Sequence, residues 1–234
     1  MLDVLAIGAH PDDIELFAGG TLAHFQRRGA RIGLLHLTRG ESASRGSPEQ
    51  RALEARASAD VLGAHEMRIL DLGDGSLRDD DDSRAAVIEV LRAWTPRLVL
   101  AQLPSDDHPD HAAAGAIAKS AWYLAGIRNI AAGAPPHRPR SLWFFPCHEV
   151  PRPNFVVTLS AADYERKRAA LACYDSQFVR RSDAEVSTRI SDPAFLEGMA
   201  ARCRAWGSLV ASPYGEPFVL PGPLPVDDPV ALLR

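Results

Sequence analysis

The chain has 234 residues, of which 46% are hydrophobic and 24% are charged, and its formal net charge is -4. This composition is that of an ordinary globular protein, and the length allows a sizeable core in one large α/β domain or two small ones. Because a mildly acidic chain lacks the basic surface that nucleic acids require, we expect no nucleic-acid partner.

Apolar runs and helical patterns alternate through the first half of the chain. Four short apolar runs predict strands at residues 2–8, 31–37, 67–72 and 97–103. Helical spacing predicts helices at 19–29, 48–62, 83–94 and 109–124, with a turn-rich segment at 73–82. This alternation predicts a single Rossmann-like α/β domain, with a mostly parallel sheet and helices on both faces.

The second half of the chain is less regular. Residues 133–140 predict a proline-rich loop, residues 141–145 and 155–159 two strands, and residues 161–173 and 192–209 two helices. The proline-containing tail at 213–229 is expected to be mostly extended coil. Because no long linker separates the two halves, we expect one domain over residues 1–234.

Cysteine usage and hydropathy indicate the compartment. The three cysteines, Cys147, Cys173 and Cys203, lie far apart and lack C-x-x-C spacing, which argues against a disulfide framework and a thiolate zinc site. The first residues include acidic side chains before any apolar run long enough for a signal peptide. No stretch of about 18 apolar residues is present. We therefore expect a cytoplasmic protein without a membrane partner.

Two short polar segments directly follow predicted strands. Ala-His-Pro-Asp-Asp at 9–13 follows the first strand, and Asp-Asp-His-Pro-Asp-His at 106–111 follows the fourth. Ligands of such sheets bind outside the carboxyl ends of the strands, and strands one and four are neighbours in the common doubly wound order. The two segments are therefore predicted to face each other.

These residue types suit a catalytic metal. Zinc binds imidazole nitrogen and carboxylate oxygen where thiolates are absent, and a catalytic zinc has three protein ligands and a water. His10 and Asp13 could supply two ligands, and His108 or His111 the third. A carboxylate left over could act as a general base, and the remaining histidine could donate to a developing oxyanion.

Helix capping is the alternative interpretation of each segment. Asp13 would be a good cap, and Asp110 would stabilise a helix N-terminus. The occurrence of both segments at strand ends favours the site. His148 also follows a predicted strand and is a further candidate for the pocket. The acidic run at 79–82 is predicted to be a solvated turn, because it lacks the spacing of a calcium loop.

Other catalytic motifs are missing from the sequence. It contains no G-x-x-x-x-G-K-[ST] loop for phosphates and no G-x-S-x-G nucleophile segment. A P-loop nucleotide-binding protein and a serine hydrolase are therefore not supported.

Over essentially its whole length, the sequence resembles the LmbE-like (PIG-L) family of zinc-dependent N-acetylglucosamine deacetylases. The resemblance rests on GAHPDDIELFAGGTLAHFQRRG at 8–29, LTRGESASRGSPEQRALEARASADVLG at 37–63 and HPDHAAAG at 108–115. The middle block, together with YDSQF at 174–178 and YGEPF at 214–218, is most similar to the branch that acts in bacillithiol biosynthesis.

The resemblance implies a ligand set and a general base. His10, Asp13 and His111 would bind Zn²⁺, although Fe²⁺ could fill the same site. Asp12 would take the proton of the attacking water. The products would be acetate and a free amino sugar, released from a GlcNAc-containing small molecule. Family members often form hexamers, so the resemblance also implies a homo-oligomer.

Further roles follow from the same resemblance. A protonated His108 would assist the tetrahedral intermediate, with Asp110 orienting it, and Arg51 would help to hold the substrate. Which of Asp12 and His108 protonates the leaving amine stays open. The alternative is a non-catalytic sugar- or nucleotide-binding Rossmann-like protein, for which no stoichiometric zinc is expected.

One position departs from the pattern of the bacillithiol branch. That branch commonly has arginine immediately before H-P-D-H, where it can meet the carboxylates of N-acetylglucosaminyl-malate, and this chain has Asp107. A carboxylate repels malate. Asp107 is therefore predicted to border the substrate and to disfavour an anionic aglycone, unless it turns away and caps the following helix.

Overall fold

The core of the fold is a five-stranded parallel sheet. The computed structural model of the chain describes residues 1–130, 133–149, 151–182 and 184–223. The strands are β1 (Val4–Gly8), β2 (Ile32–His36), β3 (Glu66–Ile69), β4 (Leu98–Gln102) and β5 (Ser141–Phe145). Their order is β3-β2-β1-β4-β5, and every neighbouring pair is parallel. The predicted fold class and the adjacency of β1 and β4 are confirmed.

Helices cover both faces of this sheet. They are α1 (Asp13–Arg27), α2 (Pro48–Leu62), α3 (Asp81–Trp94), α4 (Pro109–Leu124), α5 (Ala161–Leu171), α6 (Asp175–Phe178) and α7 (Pro193–Ser208). Strand residues alternate between two buried clusters, since Leu5 and Ile7 pack with α3 and α4, whereas Val4 and Ala6 pack with α1, α2 and α5. This two-sided burial explains why the central strands β1 and β4 are almost uninterrupted apolar runs, whereas the edge strand β3 is not.

A small second sheet corrects the prediction for the tail. β7 (Tyr214–Phe218) pairs antiparallel with β6 (Phe155–Leu159), where extended coil was expected. Pro217 is tolerated because each strand of a two-stranded sheet is an edge strand. Phe155 and Phe218 stack with their ring centroids 5.6 Å apart. The part of the predicted tail from residue 224 onward lies outside the described residues.

The start of α1 is also earlier than predicted. The helix begins at Asp13 rather than at residue 19, and the Gly19-Gly20 pair lies inside the helix instead of at its start. A Cβ on Gly20 would lie 2.5 Å from Leu159 Cδ1, so a small residue is needed where α1 packs on β6. Within the described ranges, no helix has the length and apolar character to cross a membrane.

Candidate active site

The loops at the carboxyl ends of the strands surround a pocket of about 880 Å³. Most of residues 10–13 after β1 and 107–111 after β4 line the pocket together, as the order of the strands predicts. Further lining comes from the loops after β2, β3 and β5 and from the first turns of α7. The two polar segments found in the sequence therefore form one site.

Three side chains converge as a possible metal-binding group. His10 Nδ1 lies 3.2 Å from Asp13 Oδ2, and His111 Nε2 lies 3.2 Å from Asp13 Oδ1. One donor atom from each of the three lies within 4.8 Å of the others. Two imidazole nitrogens and a carboxylate are the donor set of a three-ligand catalytic zinc site, so these residues fit such an ion.

The second ring nitrogen of each of these histidines lies beside a carboxylate. His10 Nε2 is 3.0 Å from Asp74 Oδ1 and 3.2 Å from Asp110 Oδ2. His111 Nδ1 is 3.1 Å from Asp106 Oδ1. Burial disfavours a charged His10 ring, but Asp13 and the two carboxylates at Nε2 hold its pKa well above the usual range. Each imidazole ring therefore has a carboxylate beside both of its nitrogens, which fixes its orientation.

Asp12 and Asp13 are neighbours in contrasting environments. Burial raises the pKa of Asp12 to about 7, and the Arg51 guanidinium, 3.3 Å away, opposes the rise. Burial acts on Asp13 as well, but His111 and His10 hold its pKa well below the usual range. Asp12 occupies the N-cap position of α1 with φ 104° and makes no capping hydrogen bond. Such strain in a non-glycine residue is typical of functional sites. The capping alternative named Asp13, but Asp13 is the first residue of the helix and the N-cap position belongs to Asp12.

His108 has a defined tautomer. Its Nδ1 accepts a hydrogen bond from the Asp110 backbone N–H at 3.2 Å, so the proton of a neutral ring lies on Nε2. Burial and the neighbouring His111 and His10 lower the pKa of His108. This direction differs from the protonated His108 of the sequence analysis, but a neutral ring can still donate one hydrogen bond from Nε2.

The Asp110 carboxylate does not lie where it was expected. It was predicted to orient His108, but its oxygens accept hydrogen bonds from the Gly75 and Leu77 backbone N–H groups, at 2.6 and 3.2 Å, and contact His10. The hydrogen-bond partners of the carboxylate are therefore His10 and the loop after β3. Asp110 contacts His108 through its backbone N–H instead, which donates to His108 Nδ1.

Arg51 and Asp107, the two predicted substrate-binding residues, have different surroundings. Arg51 lines the pocket but is buried, and its guanidinium donates to the carbonyls of Pro11 and Gly40 as well as to Asp12. Its contacts in the structure are therefore with the turn after β1 and the loop after β2. Asp107 is exposed and lines the pocket, and the N-cap of α4 is His108. Helix capping is therefore not the role of Asp107.

Several residues at the pocket were not predicted from the sequence. Asp74 and Cys147 line the pocket. Asp106 is buried beneath it and contacts the lining residues His111 and His148. His148, a candidate on the strand-end rule, does line the pocket, with its Nδ1 3.0 Å from Asp106 Oδ1. Applying that rule to the loops after β3 and β5 would have included Asp74 and Cys147 as well.

Comparisons with known proteins find a matching family and several similar proteins. The family described as PIG-L, GlcNAc-PI de-N-acetylase, matches residues 5–122, which include both polar segments. The diacetylchitobiose deacetylase of Thermococcus kodakarensis is 32% identical over 190 residues, which cover 75% of this chain and 70% of that protein. The 4-oxalmesaconate hydratase of Pseudomonas putida is 30% identical over 199 residues, which cover 74% of this chain and 73% of that protein. The crystal structure of a conserved protein of Thermus thermophilus matches with a TM-score of 0.88 and 38% identity over 97% of each chain.

Proposed function

The chain belongs to the PIG-L family of GlcNAc-PI de-N-acetylases, and from this premise we propose that it is a metal-dependent deacetylase. The proposed reaction is hydrolysis of the N-acetyl group of a GlcNAc-containing small molecule, with release of acetate and a free amino sugar. The observation that carries the proposal is the convergence of His10, Asp13 and His111 beside the buried carboxylate of Asp12.

Each of these residues has a role in the proposed reaction. His10, Asp13 and His111 would hold a divalent ion, for which we propose Zn²⁺, and this ion would supply Lewis-acid polarisation of the acetyl carbonyl and lower the pKa of a water molecule. Asp12, next to the proposed ligand Asp13 in the chain, accepts the proton of the attacking water, and a proton returns from Asp12 or His108 to the amine nitrogen as the C–N bond breaks. His108 donates from Nε2 to the oxyanion that develops on the carbonyl.

The aglycone is expected to be neutral or cationic. Diacetylchitobiose, named for the Thermococcus relative, has a neutral sugar in the aglycone position. Asp107 at the pocket disfavours malate by charge repulsion, so N-acetylglucosaminyl-malate, the substrate of the bacillithiol branch, is the less favoured member of the class. We include it in the substrate panel as the anionic case.

The test is acetate release from a panel of GlcNAc conjugates, with and without a chelator. We expect at least one conjugate to give acetate and amino sugar in equal amounts, with loss on chelation and recovery on adding back zinc. A non-catalytic binding protein would bind a sugar without releasing acetate. One relative is named 4-oxalmesaconate hydratase. We therefore also assay the addition of water to 4-oxalmesaconate. Hydration without any acetate release would contradict the proposal.

A further inference from the structure

Asp106 is a buried carboxylate that touches three of the histidines around the pocket. Its side chain has no exposed area and lies in the loop after β4. The carboxylate accepts hydrogen bonds from the backbone N–H groups of His108 at 3.1 Å and His148 at 2.8 Å. The ring nitrogens His111 Nδ1 and His148 Nδ1 lie 3.1 and 3.0 Å from its Oδ1. One side chain thus joins the loops after β4 and β5.

These contacts determine which nitrogen of His111 carries a proton. An ionised carboxylate only accepts hydrogen bonds, so His111 must present Nδ1–H to Asp106. The lone pair of the neutral ring then lies on Nε2, the nitrogen that faces Asp13 at 3.2 Å. A metal-bound histidine typically donates its other N–H to a carboxylate in this way, which sets the tautomer and the orientation of the ring.

Asp106 also sets the planes of neighbouring imidazoles. The His111 and His148 rings stack with centroids 5.2 Å apart and an interplanar angle of 23°. The His108 ring also lies near-parallel to His111, with centroids 4.4 Å apart and an interplanar angle of 20°, and 6.2 Å from the His148 ring. Replacing Asp106 would therefore change the orientation of the His111 ring. It would also displace His148, which lines the pocket.

We propose that Asp106 is a positioning residue of the metal site, acting through His111, and that it also holds His148 against the pocket. The inference rests on the proposed metal-binding role of His10, Asp13 and His111. Asp106 neither contacts substrate nor supplies a ligand atom. Its function is to hold the His111 ring so that Nε2 is directed at the proposed metal position.

A competing arrangement would make Asp106 itself a ligand. Asp106, His111 and Cys147 also form a group whose donor atoms lie within 4.8 Å of one another. The Asp106 oxygens, however, already accept four hydrogen bonds in the structure. Replacing Cys147 separates the two arrangements, because only the competing one includes the thiol.

The experiment measures metal affinity by competition with a chelator, together with the visible spectrum of the Co²⁺-loaded protein. We expect Asp106→Asn to weaken Zn²⁺ binding by roughly 10- to 100-fold and to change the Co²⁺ spectrum. Asp107→Asn is the matched control, one residue along the chain and exposed, and it should leave both readouts unchanged. His148→Ala and Cys147→Ser should also keep the affinity of the unaltered protein.

Three outcomes would overturn the inference. They are unchanged affinity and spectrum in Asp106→Asn, loss of metal in Cys147→Ser, and absence of metal binding by the unaltered protein. If Asp106→Asn fails to fold, Asp106→Glu keeps the charge but displaces the carboxylate by one methylene, and the same spectral change is required of it. If metal affinity responds as expected but no conjugate yields acetate, the inference about Asp106 stands and the proposed function fails.

Discussion

The adjacent carboxylates of Asp12 and Asp13 carry different proposed roles, and replacing Asp12 tests the division. Asp12 contacts Arg51, whereas Asp13 contacts His10 and His111. We expect Asp12→Asn to retain the metal and to lower kcat by roughly 10²- to 10⁴-fold, the usual contribution of a positioned acid–base group. Metal analysis and acetate release are measured on the same preparation. Loss of metal in Asp12→Asn with retention in Asp13→Asn would show that the two roles are reversed.

Asp107 provides the residue-level test of substrate choice. We expect Asp107→Arg to raise kcat/KM for N-acetylglucosaminyl-malate relative to a neutral GlcNAc glycoside, because the new charge attracts the malate carboxylates. The gain should shrink as salt is added, since the side chain is exposed and the interaction is screened. An unchanged ratio would mean that Asp107 does not meet the aglycone, and malate would return as the leading candidate.

At this scale, the sequence predicted which residues lie at the site better than how they are oriented. The two segments came together because strand order alone determines which loops are neighbours. The direction of the Asp110 carboxylate depends on the backbone N–H groups of Gly75 and Leu77, which belong to a loop of irregular conformation. No periodicity in the sequence encodes such a contact, and for the same reason the contacts of Asp106 with His111 and His148 could not be foreseen.

The junction of α1 with α5 depends on one carboxylate and gives a test at the scale of elements. Asp163 forms a capping box with Ser160 and accepts hydrogen bonds from Arg27 at 2.8 and 3.1 Å. Burial would raise the pKa of Asp163, but Arg27, Ser160 and His24 hold it below the usual range. We expect Asp163→Asn to lower the free energy of unfolding by about 1–2 kcal/mol at neutral pH.

The pH dependence of that effect has a definite sign. Because the folded-state pKa of Asp163 is depressed, its contribution is complete above the unfolded-state pKa of about 3.9 and is lost as pH falls below that value. Urea unfolding of both proteins at neutral pH and near pH 3 measures the difference. The difference in free energy of unfolding between the unaltered protein and Asp163→Asn should become smaller in acid. A difference that stays constant or grows would contradict the stabilising role of the ionised Asp163.

A buried ion pair joins β7 to the helices on one face of the main sheet. Lys167 Nζ on α5 lies 2.6 Å from Glu216 Oε1, and both side chains are only 2% exposed. The same carboxylate accepts hydrogen bonds from the Gly20 and Thr21 backbone N–H groups of α1. We expect Glu216→Gln to destabilise the fold by about 3–5 kcal/mol, because Lys167 would be left buried without a countercharge.

Glu165→Gln is the matched control for this prediction. Glu165 lies two residues before Lys167 on α5, and its contact with Arg168 is exposed. An exposed pair contributes at most about 1 kcal/mol, so this variant should unfold at nearly the same urea concentration as the unaltered protein. Equal destabilisation by the two substitutions would contradict the special role of Glu216.

Elements with a strong local pattern were predicted closely, and those that depend on tertiary contacts were not. Pro48–Leu62 and Pro109–Leu124 have the predicted bounds, since each has proline in its first turn and apolar residues at helical spacing. β7 was missed because its pairing with β6 spans more than fifty residues of sequence and includes Pro217. The start of α1 was predicted too late because the Gly19-Gly20 pair was taken as the beginning of the helix. The pair lies inside the helix, where Gly20 allows α1 to pack closely on β6.

At the scale of the whole molecule, the parallel sheet explains why the site could be placed from sequence. The order β3-β2-β1-β4-β5 brings all five carboxyl ends to one edge, so polar residues after successive strands accumulate in one pocket. The identity of the metal and of the aglycone depends on the fine geometry of that pocket. The homo-oligomer implied by family resemblance stays a prediction, and sedimentation of the purified protein would measure it.

Metal content of the purified protein is the most direct test of the central claim, that His10, Asp13 and His111 hold a catalytic divalent ion. We expect about one divalent ion per chain, and we expect His111→Ala to lose it while keeping the far-ultraviolet circular dichroism of the folded sheet and helices. His65→Ala, outside the pocket, is the control and should keep its metal. Full metal occupancy in His111→Ala, or no stoichiometric metal in the unaltered protein, would contradict the account.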